Sequence, residues 1–255
     1  MSVAALQETK ILTGRSLRHI LRSPDTIITT AVTPIAMMLL FVFVFGGAIQ
    51  ASGTEPYVNY LLPGILIITI ASGVAYTSYR LFLDLSDGLI PRLQSMPISR
   101  SSILWGHVLT SLVANMASLL IVVGVAFLCG FRSEASYLSW LAVAGLLAVT
   151  TLSLTWIAVV AGLSAKTVDG ASAFSYPLIF LPFISSAFVP TESMPPAVAW
   201  FAQNQPVTAI VDSIRSLLND QSVGSNIWVA LAWLVGLMAA AWITSIVIYR
   251  KKIGA

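Results

Sequence analysis

The sequence predicts an all-α membrane protein that crosses the bilayer six times, and three observations carry that prediction. Hydrophobic residues fill 57% of the 255 positions and charged ones only 9%, against roughly 25% charged in an ordinary soluble domain. Thirteen Lys/Arg and ten Asp/Glu cannot cover a water-facing surface of this size, and the mean hydropathy of +0.90 points to lipid as the main solvent. The charges also leave six long charge-free runs, bounded by Asp25 and Glu55, Glu55 and Arg80, Arg100 and Arg132, Glu134 and Lys166, Asp169 and Glu192, and Asp220 and Arg250. Each is about 22 to 31 residues long, where a helix needs about 20 to cross the hydrocarbon core. The basic residues supply the third observation. With both termini cytoplasmic, Lys10, Arg15, Arg18, Arg22, Arg80, Arg92, Arg100, Lys166, Arg250, Lys251 and Lys252 lie inside, and only Arg132 and Arg215 lie outside, as the positive-inside rule favours.

Helices are the required form, because a spanning segment must satisfy its own backbone and the runs lack the polar alternation of barrel strands. In chain order, residues 1–24 carry Leu6, Ile11, Leu12, Leu17, Ile20 and Leu21 near helical spacing among four cations, which suits a helix lying in the cytoplasmic headgroup layer. The six spans are expected at Thr26–Ile49, Tyr57–Tyr79, Ser102–Cys129, Leu138–Leu163, Ala171–Phe188 and Ile227–Tyr249. The first run exceeds the roughly 7 to 15 apolar residues of a secretory leader, so it reads as a span. Within the spans, Ser111, Asn115 and Ser118 share one helical face and Thr151 and Thr155 another, a pattern suited to interhelical hydrogen bonding. Thr33, Asn59 and Tyr76 are further polar positions. Pro177 and Pro182 interrupt the fifth span, either as a plain kink or as a flexible helix facing a transport path. Cys129 sits alone in an apolar run and reads as packing.

Two segments between the spans are too polar to cross. The cytoplasmic loop at residues 80–101 mixes apolar residues with both charge signs, and an amphipathic helix there needs a partner or the membrane face to dock on. The outer segment at residues 189–225 places Val207, Ile210, Val211, Ile214, Leu217 and Leu218 on one helical face opposite Asp212 and Arg215, with Pro206 suited to the first turn.

The sequence narrows the chemistry. No Gly-Lys pair occurs, so there is no phosphate-binding P-loop and no ATP hydrolysis by that route. His19 and His107 lack metal-ligand spacing. No basic run interleaves with aromatics, which excludes nucleic acid as a partner. No charge lies near the middle of a span, against both ion-coupled transport and a charged channel filter. The path then offers apolar, aromatic and hydroxyl contacts, which favours an amphipathic or lipid-like cargo. Asp87-Gly88-Leu89-Ile90-Pro91-Arg92 resembles the start of the motif of CDP-alcohol phosphotransferases, but the later aspartate pair is absent. An intramembrane lipid-modifying enzyme is therefore the weaker alternative.

Ser186-Ala-Phe-Val-Pro-Thr-Glu-Ser-Met-Pro195, Asn204-Gln-Pro-Val-Thr208 and Ile214-Arg-Ser-Leu-Leu218 together resemble the late signature of ABC-2 type permeases, particularly the daunorubicin-resistance-like branch. Arg92-Leu-Gln-Ser-Met-Pro-Ile-Ser-Arg100 is similar to that family's segment before the third span. The resemblance covers essentially the whole chain, as a single transmembrane domain over 1–255. It departs from the family at Leu81, where many relatives are acidic, with Asp84 three residues on.

The resemblance implies a membrane permease subunit of an ATP-driven exporter, with no catalytic residue, metal or cofactor of its own. ATP and Mg would be bound by two copies of a separate ATPase, and a second permease copy would complete a homodimer in the bacterial plasma membrane. Residues 80–101 would form a coupling helix seated in the ATPase, with Asp84, Asp87, Leu89, Arg92, Leu93, Met96 and Pro97 as contacts. Residues 189–225 would be a re-entrant external cap, with Pro190, Glu192, Pro195, Pro206, Asp212 and Arg215 as its candidate residues. Thr33, Asn59, Tyr76, Pro177 and Pro182 are the pathway candidates. A drug, lipid or lipid-like cargo is expected, with a lipid-linked glycan as the alternative within transport.

Overall fold

The computed structural model describes residue 14 and residues 24–46, 56–86 and 100–253, and all regular structure among them is helical. The elements are α1 (Pro24–Leu39), continued by a π-helical turn at Leu40–Phe45; α2 (Tyr57–Ser86); α3 (Arg100–Leu128); α4 (Tyr137–Ser164); α5 (Val168–Ala173); α6 (Ser175–Phe180), followed by a 3-10 turn at Leu181–Ile184; a second 3-10 turn at Thr191–Ser193; α7 (Pro196–Asn204); α8 (Pro206–Leu218); and α9 (Asn226–Ile253). Four of these, α2, α3, α4 and α9, are long and apolar enough to cross a membrane. The stretches where the first and fifth spans are expected, Thr30–Phe45 and Val168–Ile184, are shorter apolar helices.

The fifth segment is broken for a local reason. Pro177 has no N–H to bond the Ala173 carbonyl, and α5 ends at Ala173. Pro182 has none for Leu178, and there the chain tightens into a 3-10 turn with an extended Ser185 after it. The second helix departs from expectation in the other direction. Nothing in Arg80–Ser86 breaks a helix, since Gly88 and Pro91 come later, so α2 runs on to Ser86. Arg80 and Asp84 are helical and not part of a loop. At 1.5 Å per residue, α2 is about 45 Å long against about 30 Å of hydrocarbon, so it projects from the apolar layer.

α2 is the axis of the bundle. It packs against α1, α3, α4, α5, α6 and α8, while α9 lies against α4 and α8. Its closest approaches are set by glycine. A Cβ on Gly162 of α4 would come 2.8 Å from the Ser78 carbonyl oxygen of α2, and one on Gly64 would come 2.7 Å from Ala187 Cβ. Small residues let backbones approach where lipid offers no hydrophobic drive to hold helices together.

A chain of buried hydroxyls joins three helices midway. Thr77 of α2 donates to Ser111 Oγ of α3 at 2.8 Å, and Ser111 Oγ lies 3.1 Å from Thr155 Oγ1 of α4. Thr155 in turn donates to the Thr151 carbonyl at 2.6 Å, so Ser111 is the donor to Thr155. Asn115 Nδ2 donates to the Ser111 carbonyl at 2.9 Å, and its amide fills the space left by Gly73. Of the polar faces read from the sequence, Ser111 and Thr155 bond between helices, while Asn115 and Thr151 bond within their own. At the end of the bundle where α2 begins, the Arg132 N–H donates to Asn59 Oδ1 at 3.2 Å and Ser133 Oγ donates to the Leu218 carbonyl at 2.7 Å.

Candidate functional site

The polar groups of the bundle converge at the turn 185–188, which ends the broken fifth segment. Breaking a helix inside an apolar bundle orphans its last carbonyls, and a single side chain caps two of them. Gln205, 6% exposed, donates Nε2 to the carbonyls of Ile184 and Leu181. Ser185 Oγ donates to the Pro182 carbonyl at 2.6 Å and accepts the Ala187 N–H at 3.1 Å. The turn is thereby fixed on α8 before anything reaches it from α2.

Three side chains then bridge to α2. Tyr60 Oη donates to the Ser186 carbonyl and Tyr57 Oη to the Phe188 carbonyl, each at 3.0 Å. Arg215 of α8 donates Nη2 to the Ser186 carbonyl at 2.8 Å and to the Tyr60 carbonyl at 3.2 Å. Its guanidinium carbon lies 4.0 Å from the centroid of the Tyr60 ring, a cation–π geometry. Arg215 Nη1 pairs with Asp212 Oδ1 at 2.8 Å, and that same oxygen accepts Ser186 Oγ at 2.6 Å. The charges are therefore compensated within one helix, one turn apart, which removes the cost of a lone ion in a half-buried place.

The opposite side of the turn is aromatic. Phe188 stacks on Phe183 with centroids 4.8 Å apart and on Phe41 at 5.0 Å. Phe41 also meets Phe45 at 5.6 Å, and both belong to the π-helical turn of α1. One four-residue turn thus touches α1 through rings, α2 through carbonyls and α8 through an ion pair.

The structure distributes the residues singled out in the sequence unevenly. Asp212 and Arg215 meet at this junction. Pro206 opens α8 as its first residue, while Pro190, Glu192 and Pro195 are exposed nearby in the chain. Thr33 and Pro177 are exposed, and Pro182 is buried. Asn59 is engaged with Arg132. Tyr76 accepts from Arg80 Nη1 at 3.5 Å and lies about 24 Å along α2 from Tyr60, so it does not share the junction. Asp84 pairs with His107 Nε2 of α3 at 3.3 Å. Asp87, Leu89, Arg92, Leu93, Met96, Pro97 and the expected interfacial helix at residues 1–24, save Gly14 and Pro24, lie outside the described residues. The sequence reading missed Tyr57, Tyr60, Gln205 and Phe41. The available signal was a Tyr pair spaced i, i+3 at the mouth of a span, matched by an Asp/Arg pair at the same spacing on a helix otherwise apolar on one face. Among the described residues no group of three His, Cys, Asp or Glu could hold a metal ion.

A bundle of long apolar helices around a central helix, with one segment broken and amphipathic helices beside it, is the architecture of a multi-pass membrane protein. The chain belongs to the ABC-2 type transporter family, which it matches over residues 7–219. It is 27% identical to the daunorubicin resistance ABC transporter permease protein of Streptomyces coeruleorubidus, over 90% of this chain and 81% of that one. It is 24% identical to a probable doxorubicin resistance ABC transporter permease protein of Mycobacterium tuberculosis, over 96% of this chain and 88% of that one. A putative transport permease of Porphyra purpurea is also 24% identical, over 100% and 88% of the two chains.

Proposed function

We propose that this protein is the membrane-spanning subunit of an ATP-driven exporter that moves an amphipathic, drug-like compound out of the cytoplasm or the inner leaflet. The observation that carries this reading is the family match together with two drug-resistance permeases that align over at least nine-tenths of the chain. The chain lacks a phosphate-binding loop, so ATP and Mg are held by a separate ATPase, present in two copies. A second copy of the permease completes the path. The chain crosses the plasma membrane six times, the fifth crossing being the broken segment 168–184, and residues 189–225 cap the outer side without crossing. Both termini and the loop after α2 are then cytoplasmic, in keeping with eleven basic residues on that side and two on the other. The spans offer hydroxyl, aromatic and apolar groups and no central charge, which suits a cargo with a large apolar body.

The test is reconstitution with a cognate ABC ATPase, assayed for ATP-dependent movement of doxorubicin, a hydrophobic cation, a glycolipid and a simple inorganic ion. Movement of doxorubicin or the hydrophobic cation is the expected result. Movement of the inorganic ion alone, or purification in mild detergent without a stoichiometric ATPase, overturns the reading.

A further inference from the structure

Resting on the exporter reading, we propose that the contacts between α2 and the unit formed by turn 185–188 and α8 are a reversible latch on the outer mouth, closed at rest and released during transport. The division of bonds across the junction argues for this. The turn and α8 are one unit, joined by Gln205 to the Ile184 and Leu181 carbonyls, by Ser186 Oγ to Asp212, and by Arg215 to the Ser186 carbonyl. The whole ion pair, Asp212 with Arg215, lies inside that unit. The polar contacts that cross to α2 are different in kind: the hydroxyls of Tyr57 and Tyr60 on two backbone carbonyls, one Arg215 bond to the Tyr60 carbonyl, and the Arg215 contact with the Tyr60 ring, beside the close packing of Ala187 and Phe188 on Gly64.

Separating the unit from α2 therefore breaks no ion pair and strands no charge. A fastening that divided a salt bridge between two bodies would leave a buried, unpaired ion on each, a severe penalty. Here the freed groups are two phenols, carbonyls and one guanidinium edge, and water entering from the outer surface satisfies all of them. Among the described residues Arg215 Nε has no hydrogen-bond partner, so one guanidinium donor is left over for water.

The experiment uses the complete complex carrying Cys129→Ala, which removes the native thiol. In one arm, Tyr60→Cys and Ser186→Cys are bridged by a short reducible bis-thiol reagent of about the length of the tyrosine ring. Bridging is expected to abolish doxorubicin transport while the ATPase stays bound, and reduction to restore it. In the second arm, Ser185→Cys, whose parent residue is fully buried, is labelled from outside with a membrane-impermeant thiol reagent. Tyr60→Phe removes one hydrogen bond and is expected to speed labelling by about 2- to 10-fold, as is ATP turnover. Transport that persists in the bridged complex, or labelling that neither change accelerates, overturns the latch. Failure of the complex carrying only Cys129→Ala to move doxorubicin defeats the exporter reading instead, and the labelling comparison with Tyr60→Phe still decides the latch.

Discussion

Gly73 has no room for a methyl group. A Cβ there would fall inside the Asn115 amide, which donates to Ser111 at the centre of the hydroxyl chain between α2, α3 and α4. Gly73→Ala must push Asn115 away and break at least one buried hydrogen bond in a place where no water replaces it. We expect a loss of about 1 to 3 kcal/mol, from overpacking together with an unsatisfied polar group, read as a lower thermal midpoint in detergent. Gly145→Ala on the exposed side of α4 meets nothing within 4 Å and should leave the midpoint unchanged or slightly raised, since alanine is the better helix former. Equal losses in the two variants would mean that helix backbone, and not the Asn115 contact, sets the effect. The hydroxyl spacing on α3 and α4 was legible in the sequence, because one helix face is a local property. The role of Gly73 was not, because it depends on which residue of another helix lies opposite.

The fifth segment shows how an element can be short of a span and still be built to order. Pro177 and Pro182 announced the break in the sequence, since a missing N–H acts on its own helix. The repair was not announced: Gln205 reaches back 21 residues to Ile184 and 24 to Leu181, and Arg215 reaches 155 residues to Tyr60. Such contacts follow from how elements stack, and no spacing within the chain encodes them. Gln205→Leu keeps the volume and removes the donor, leaving two carbonyls unpaired in a buried site, at an expected cost of about 1 to 3 kcal/mol. Thermal unfolding of the purified protein checks this, and a midpoint equal to the parent's would show that the carbonyls find other partners. The loop after α2 poses the converse case. Its sequence is amphipathic and charged, and the pair Asp84–His107 joins the helices on either side of it. If it seats in the ATPase, Leu93→Glu or Met96→Glu places a charge in that contact without touching a span. Insertion into the membrane should be normal, with ATPase association weakened in a pull-down and transport reduced. Normal association and normal transport in both variants would remove the loop from the interface.

At the scale of the whole molecule, the described residues around the central helix are closely packed. α2 is buried along most of its length, the hydroxyl chain and the phenylalanine stack occupy its surroundings, and a groove of about 420 Å3 lined by Val229, Ala232, Trp233, Gly236 and Leu237 lies on the exposed side of α9. On the proposed two-copy arrangement, a drug-sized path would run between copies, most simply around a twofold axis. Two exposed faces compete for that role. The α9 face presents Trp228, Trp233, Trp242 and Val247, large apolar groups that suit lipid, with Trp228 at the end of the span suited to the interface. The face of α1 and the fifth segment presents Phe43, Val44, Tyr176 and Phe180 beside the exposed Thr33 and the proline break, and it adjoins the junction on Phe41 and Phe188. If two copies share the path, that combination of rings and hydroxyls beside the turn favours α1 and the fifth segment as the shared surface. In a Cys129→Ala background, Phe43→Cys or Tyr176→Cys should crosslink copy to copy in native membranes, whereas Trp242→Cys should not. Crosslinking through Trp242→Cys alone would place α9 at the axis and lipid on α1, and a complex fully active with one permease copy would end the two-copy arrangement altogether.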